Sequence, residues 1–180
     1  MLLQQYQERW PRDFLMIEVT IMAGLSGLDI SMEHIGSTAI RNLAAKPTVD
    51  IDLFYGKNEE YTRIKEGLEK IGYDHHGDQG IVDRKVFKRS TADVKHRVLD
   101  RIHHHLYVCP AHSVALKRHL LFRDYLRNNE EARLQYQAIK YHLAKQAKQD
   151  RKVYAQMKEL QAREFVDLIL LRAQAQDDKM

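Results

Sequence analysis

The segment 48–55, TVDIDLFY, restricts the fold of this chain more than any other segment. Its β-branched and aromatic residues favour a strand. Because side chains alternate along a strand, Asp50 and Asp52 are expected on one face, and the apolar residues between and beside them on the other. Two carboxylates on a buried strand repel each other and lose hydration, and a divalent cation is the usual compensation. The segment therefore predicts either a site in which Asp50 and Asp52 hold a divalent cation such as Mg²⁺ or Mn²⁺, or an edge strand on which one aspartate faces solvent.

The residues before this strand predict a phosphate-binding turn. An apolar run ending in Glu33-His34-Ile35 favours a strand, and Gly36-Ser37-Thr38 then breaks it and starts a short helix or turn. A glycine there lets the backbone approach a ligand closely, and free N–H groups at a helix start can hold a phosphate. A Gly-Ser pair alone is weak evidence, but a phosphate cradle beside paired carboxylates suits phosphoryl or nucleotidyl transfer.

The order of these two motifs resembles a known superfamily. Gly-Ser followed by Asp-x-Asp is the signature of the nucleotidyltransferases that include DNA polymerase beta. The segment HIGSTAI and the following LAAKPTVDID are similar in sequence to the GrpB-like family of predicted nucleotidyltransferases. The later segments HHLYVC at 104–109, FRDYLR at 122–127 and YQAIKYHLA at 136–144 are also similar to that family. The resemblance thus covers nearly the whole chain. One departure is Arg41-Asn42, where the family usually has Pro-Gly.

The resemblance implies a fold and a reaction. It implies an α+β, polymerase beta-type mixed sheet in residues 1–110 and a C-terminal helical region in residues 111–180. The implied reaction is metal-dependent transfer of a nucleotidyl group from a nucleoside triphosphate to an acceptor that the sequence does not identify. In that reaction Asp50 and Asp52 are the catalytic metal ligands. The backbone of Gly36, Ser37 and Thr38 then holds the outgoing phosphates.

Three further residues are candidates for nucleotide binding, each with a structural alternative. Lys46 precedes the Asp-x-Asp strand and suits a phosphate contact, although it can also be an ordinary surface lysine. His34 lies beside the turn, and its alternative is a satisfied buried histidine. Arg123 belongs to the FRDYLR motif and shares a helix face with Arg127, so it either binds phosphate or is solvated.

The third metal ligand is ambiguous. The superfamily normally adds an acidic residue from a neighbouring strand, and the segment 102–109 contains none. On a strand there, His103, His105 and Tyr107 share one face. The ligand is therefore absent, is His105, or comes from Asp100 or Asp83. Imidazole suits Mn²⁺ better than Mg²⁺.

The hydrophobic periodicity predicts the remaining elements. Helices are expected from Pro11 to about Leu25, over 58–71 with Asn58 as a cap, and over 111–127, 130–148 and 151–173. Strands are expected at 81–90 and 102–109. Residues 75–80 are expected to form a loop. Strands followed by a run of helices favour an α+β core with helices packed on it.

Composition restricts the partners and the location. The chain has 180 residues, 44% of them hydrophobic, and one cysteine, so a single core without an internal disulfide is expected in the cytoplasm. No signal peptide or apolar run of membrane-spanning length is visible. Residues 1–110 carry 15 basic and 16 acidic side chains, and residues 111–180 carry 14 and 9. The basic excess either is a solvated helix surface or draws a nucleotide towards the acidic site.

Two other function classes compete with a nucleotidyltransferase. A non-catalytic nucleotide-binding or regulatory module with a degenerate metal site is favoured by the missing third carboxylate. A nucleic-acid-binding protein is less well supported, because the basic helices lack a dense basic run or an exposed aromatic row.

Overall fold

A five-stranded mixed sheet lies at the centre of the computed structural model, which describes residues 1–57, 60–90 and 94–177. The strands are β1 Ile30–Ile35, β2 Val49–Tyr55, β3 Tyr73–His75, β4 Lys85–Arg89 and β5 His104–Pro110. Their order is β1-β2-β5-β4-β3, and only the β2–β5 pairing is parallel within the described sheet. The expected α+β fold with a mixed sheet is confirmed.

Seven helical segments complete the described structure. They are α1 Arg9–Gly24, a short 3₁₀ turn Ser37–Ala39, α2 Glu60–Lys70, α3 Val114–Asn128, α4 Glu130–Gln146, α5 Arg151–Gln161 and α6 Arg163–Asp177. The starts of α4 and α5 follow from local chemistry. The side chains of Asn129 and Asp150 accept backbone N–H groups in the first turns of α4 and α5, which satisfies donors that a helix start leaves free.

One face of the sheet forms the main hydrophobic core. Ile51 and Leu53 of β2 and Leu106 of β5 are fully buried there, against apolar residues of α1 and α2 such as Ile17 and Ile64. The alternation predicted for segment 48–55 is responsible, because every second residue of β2 points into this layer.

The C-terminal helices have their own hydrophobic clusters, and segments from the first half of the chain enter both. Ile40 and Leu43 pack with Tyr125 and Leu126, among others. Leu2 and Leu3 pack with residues of α4 and α5. These contacts fasten the helices to the loop between β1 and β2 and to the N-terminal segment. The division into residues 1–110 and 111–180 stays a prediction.

Several expected boundaries in the first half of the chain were wrong. Helix α1 begins at Arg9, because Pro11 falls in the first turn, where a proline is tolerated. The expected loop 75–80 begins inside strand β3. The strand expected at 81–90 starts only at Lys85, since Asp83 has a φ of 59°, which is incompatible with an extended strand. The expected Asn58 cap lies outside the described residues.

The helix expected over 151–173 is two helices. The chain breaks at Ala162 without a glycine or proline to mark the break. In the first of these helices, Leu160 is exposed and Tyr154 is buried. Val114 in α3 is likewise exposed rather than packed. Within the described residues, no helix has the length and apolar content needed to cross a membrane.

Candidate nucleotidyl-transfer site

Asp50 and Asp52 lie on the face of the sheet opposite the main core, as the alternation predicts. In the parallel pairing with β5, Asp50 is opposite His105 and Asp52 is opposite Tyr107. In the antiparallel pairing with β1, Asp52 is opposite Glu33. One polar row therefore crosses β1, β2 and β5 as Glu33, Asp52 and Tyr107, and a second polar pair, Asp50 and His105, joins β2 and β5. Asp50 is half-buried and Asp52 is almost completely buried.

Asp50 is paired with His105. The His105 Nδ1–H donates to Asp50 Oδ1 at 2.8 Å. Burial acts to raise the pKa of Asp50, but the hydrogen bond and charge of His105, followed by Lys158 and Lys46, hold that pKa below its ordinary value. Asp50 is therefore a charged carboxylate at neutral pH.

Asp52 is paired with a histidine that the sequence analysis did not identify. His119 of α3 donates its Nδ1–H to Asp52 Oδ2 at 2.7 Å. The other oxygen, Asp52 Oδ1, is buried and has no hydrogen-bond partner among the described residues. A buried carboxylate oxygen without a partner is costly, and a divalent cation is a suitable partner for it. His119 is 67 residues away along the chain, and no sequence motif links the two.

The Gly36-Ser37 turn touches Asp50. Gly36 has a φ of 71°, and a Cβ atom built there would lie 2.4 Å from Asp50 Oδ2. Any side chain would collide with the carboxylate, so glycine is required for conformation and for space. The backbone N–H groups of Ser37 and Thr38 donate to no acceptor in the described part of the chain. They can therefore bind an anion.

The side chains of Thr38 and His34 hold this turn in place. Thr38 Oγ1 donates to the Thr48 carbonyl at 3.1 Å and lies 3.0 Å from His34 Nε2. His34 stacks on Phe14 with ring centroids 5.0 Å apart, and burial lowers its pKa to about 4. His34 is thus neutral and faces the core layer, which favours the satisfied buried histidine over direct nucleotide contact.

Arg123 is engaged by protein groups. Its guanidinium donates to Glu33 at 2.5 Å, to Asp124 at 2.8 and 2.9 Å and to the His34 carbonyl at 2.9 Å. Its side chain is only 8% exposed. These contacts fasten α3 to β1 and so position His119 over Asp52. They leave Arg123 little capacity for a phosphate.

Three lysines lie near Asp50. The charge of Asp50 acts on the pKa of Lys46, Lys140 and Lys158. Burial, followed by Lys158, lowers the pKa of Lys46, whose Nζ is 5.8 Å from the centroid of the Tyr154 ring. Lys140 is almost fully buried and donates to the Ala44 carbonyl. Lys158 lies on α5, and sequence analysis did not single it out. Burial lowers the pKa of Lys140 well below its ordinary value, so Lys46 and Lys158 are the lysines that can bring positive charge to the Asp50 end of the site.

The alternatives for a third ligand are resolved in part. Asp100 accepts from Arg89 Nε at 2.6 Å and from the His96 backbone, so it is committed elsewhere, and its candidacy was wrong. Asp83 is exposed in the turn before β4. His105 directs Nδ1 to Asp50. Within the described residues, no three His, Cys, Asp or Glu side chains converge as a metal centre. The assignment of Asp50 and Asp52 as cation ligands stays a prediction.

The sheet order and the placement of two aspartates define a nucleotidyltransferase-type fold. Solved structures of the Cid1 poly(U) polymerase share it, and one with MgGTP bound has a TM-score of 0.55, 14% identity and coverage of 78% of this chain and 44% of that chain. At this identity the likeness shows the fold alone. The protein belongs to the GrpB family, since the family described as GrpB protein matches residues 1–172.

Individual relatives agree with this assignment. The UPF0157 protein YqkA of Bacillus subtilis is 31% identical over 141 residues, covering 78% of this chain and 39% of that protein. A UPF0157 protein of Pseudomonas aeruginosa is 34% identical over 167 residues, covering 92% and 64%. The chain thus spans less than two thirds of either relative. The crystal structure of conserved protein GrpB from Enterococcus faecalis has a TM-score of 0.76 and 26% identity, covering 94% of this chain and 98% of that chain.

Proposed function

We propose that this protein transfers a nucleotidyl group from a nucleoside triphosphate to an acceptor hydroxyl, with Asp50 and Asp52 holding Mg²⁺ or Mn²⁺. The observation that carries the proposal is the buried Asp52 Oδ1, which has no partner among the described residues. It lies on the same face as Asp50, and the carboxylate of Asp50 contacts the Gly36 turn. Mg²⁺ is commonly held by one or two carboxylates plus substrate phosphates. Two protein carboxylates are therefore sufficient, and His105 serves as a hydrogen-bond partner of Asp50.

The surrounding residues have distinct tasks in this proposal. The free N–H groups of Ser37 and Thr38 orient the outer phosphates, and Lys46 and Lys158 neutralise their charge. A bound Mg²⁺ would supply Lewis-acid stabilisation of the phosphate oxygens and of the attacking oxygen. The neutral His34 acts as a positioning residue for the turn. Arg123 acts as a positioning residue for α3, because its hydrogen bonds to Glu33 and the His34 carbonyl (the Arg123 clamp) join α3 to β1.

The chemical step balances as a displacement at the α-phosphorus. A bond forms between the acceptor oxygen and the α-phosphorus, and the bond from that phosphorus to the bridging oxygen of the β-phosphate breaks. Pyrophosphate leaves towards the turn and the lysines. The acceptor proton goes to an imidazole, and His119 can accept it at Nε2 because its Nδ1–H is donated to Asp52.

The test compares binding and turnover in matched variants. Mg²⁺ with a non-hydrolysable triphosphate should raise the melting temperature more than the two single additions together. Asp50→Asn with Asp52→Asn should abolish that synergy, and the exposed Asp167→Asn should preserve it. Retention of the full synergy by the double variant would place the site elsewhere. Release of pyrophosphate from labelled triphosphate, screened over acceptor mixtures, then tests transfer itself.

A non-catalytic nucleotide-binding module is the second candidate. It is favoured by the histidine that donates to one oxygen of each aspartate. It is also favoured because the third acid on this face, Glu33, accepts from Arg123, and no three His, Cys, Asp or Glu side chains of the described residues converge as a metal centre. It predicts the same binding synergy without pyrophosphate release, so turnover separates the two.

Nucleic acid remains an unlikely partner in this proposal, and no membrane partner is proposed. Cid1 is an RNA uridylyltransferase, but the likeness to it is of fold. Binding of a generic RNA should be weak and only shallowly dependent on salt.

Because Cys109 is buried and is the single cysteine, we propose a location in the reducing cytoplasm.

A further inference from the structure

Arg84 is a half-buried arginine whose role is not explained by the packing around it. It lies just before β4, where Val86 pairs with Tyr107, and its Cζ atom sits 4.5 Å from the centroid of the Tyr107 ring. Its Nε–H is buried and has no hydrogen-bond partner among the described residues. A buried N–H without a partner is unfavourable, because it has lost its hydration without gaining a hydrogen bond. The arrangement therefore lacks an acceptor.

The position of Tyr107 places Arg84 at one end of the site. Tyr107 is opposite Asp52 in the β2–β5 pairing, and its ring centroid is 6.2 Å from that of His119. The phosphate-binding turn touches Asp50, at the other end of the pair. Arg84 is thus on the side from which an acceptor would approach, because attacking and leaving oxygens lie roughly in line across the phosphorus.

A guanidinium stacked on an aromatic ring is suited to a particular ligand. The ring desolvates one face of the cation and fixes its plane, so its N–H groups are aligned for a planar, two-point contact with a carboxylate or phosphate. By contrast, Arg89 lies 5.7 Å from the Tyr73 ring and uses its N–H groups on Asp100 and backbone carbonyls. Arg84 likewise lies over a tyrosine ring, but its Nε–H has no acceptor among the described residues.

We propose that Arg84, stacked on Tyr107, binds an anionic group of the acceptor molecule at the Asp52 end of the site. The acceptor class is a hydroxyl compound that also carries a phosphate or a carboxylate. The identification of the bound anion as part of an acceptor rests on the proposed function, but binding of the anion by Arg84 can be tested without turnover.

The experiment titrates methyl phosphate and, separately, acetate into the protein and follows the Tyr107 ring and the Arg84 Nε–H by NMR. Each titration is done on the free protein and on protein saturated with Mg²⁺ and a non-hydrolysable triphosphate. Arg84→Gln should weaken binding of the preferred anion by roughly 10- to 100-fold, the size expected for a charge-assisted hydrogen bond. Arg63→Gln, at an exposed position on α2, is the matched control and should leave the titration unchanged.

The outcomes separate the possible ligands. Stronger binding of methyl phosphate indicates a phosphorylated acceptor, and stronger binding of acetate indicates a carboxylated one. Equal titration of wild type and Arg84→Gln overturns the proposal. Loss of anion binding once Mg²⁺ and triphosphate are bound also overturns it, because Arg84 would then belong to the triphosphate site. If triphosphate fails to bind at all, the proposed function fails, while the titration of the free protein still tests the anion site.

Discussion

The two faces of the central sheet use alternate residues of the same strands for opposite purposes. On one face Ile51 and Leu106 are fully buried among apolar side chains of α1 and α2. On the other face the half-buried Asp50 and the buried Asp52 each accept from a histidine, and one Asp52 oxygen is unpartnered among the described residues. The first face gains stability from burial, whereas the second buries charge at a cost in stability. This difference is the physical basis for our proposal that the second face holds the functional site.

The largest expected effect is on the apolar face. Ile51→Ala should lower the free energy of unfolding by about 2–5 kcal/mol, because it removes buried methylene groups and leaves a cavity. Urea denaturation measures the change, and folded variant protein should keep the Mg²⁺–triphosphate synergy. A loss below about 1 kcal/mol would show that this layer is not the main core.

The second effect concerns His34, a titratable group on the apolar face. Its pKa of about 4 in the folded protein compares with an ordinary value of 6.5. The unfolded chain therefore binds more protons between these values, so stability is fully present above pH 6.5 and falls as pH drops towards 4, by about 3 kcal/mol at most. Unfolding curves across this range should be less pH-dependent in His34→Gln than in wild type. Equal pH dependence would contradict the burial of a neutral His34.

The third effect tests the contact between the turn and the polar face. Gly36→Ala should destabilise the protein by about 1–3 kcal/mol, because φ is positive and the new Cβ meets Asp50 Oδ2. It should also weaken the Mg²⁺–triphosphate synergy. Gly56→Ala is the control, since a Cβ there meets no atom within 4 Å. Similar effects of the two substitutions on stability and synergy would remove the argument for a close turn.

The smallest effect on stability is expected at Asp52 itself. Asp52→Asn keeps an oxygen for the His119 Nδ1–H and removes a buried charge, so the metal-free free energy of unfolding should change by no more than about 1 kcal/mol. The same substitution should remove the Mg²⁺–triphosphate synergy. Urea denaturation and thermal shift together measure both. A loss of several kcal/mol would mean that Asp52 is chiefly structural, and the contrast between the faces would disappear.

The local sequence determined a large part of this site. Alternation along segment 48–55 assigned Asp50 and Asp52 to one face, and Gly36 marked the break where the chain turns back. These inferences hold because strand periodicity and glycine conformation depend on a few consecutive residues. The same local rules failed at Asp83, which has a positive φ, and at Ala162, where a helix breaks without a glycine or proline.

Only the tertiary structure decided which distant groups meet the carboxylates. His119 reaches Asp52 because the Arg123 clamp fastens α3 to β1, and Lys158 approaches Asp50 because α5 folds back beside the loop after β1. Arg84 meets Tyr107 through the register of β4 and β5. Each contact depends on packing between elements that are far apart in the chain. No periodicity or motif encodes such a meeting, since its free energy is set by the whole arrangement of helices on the sheet.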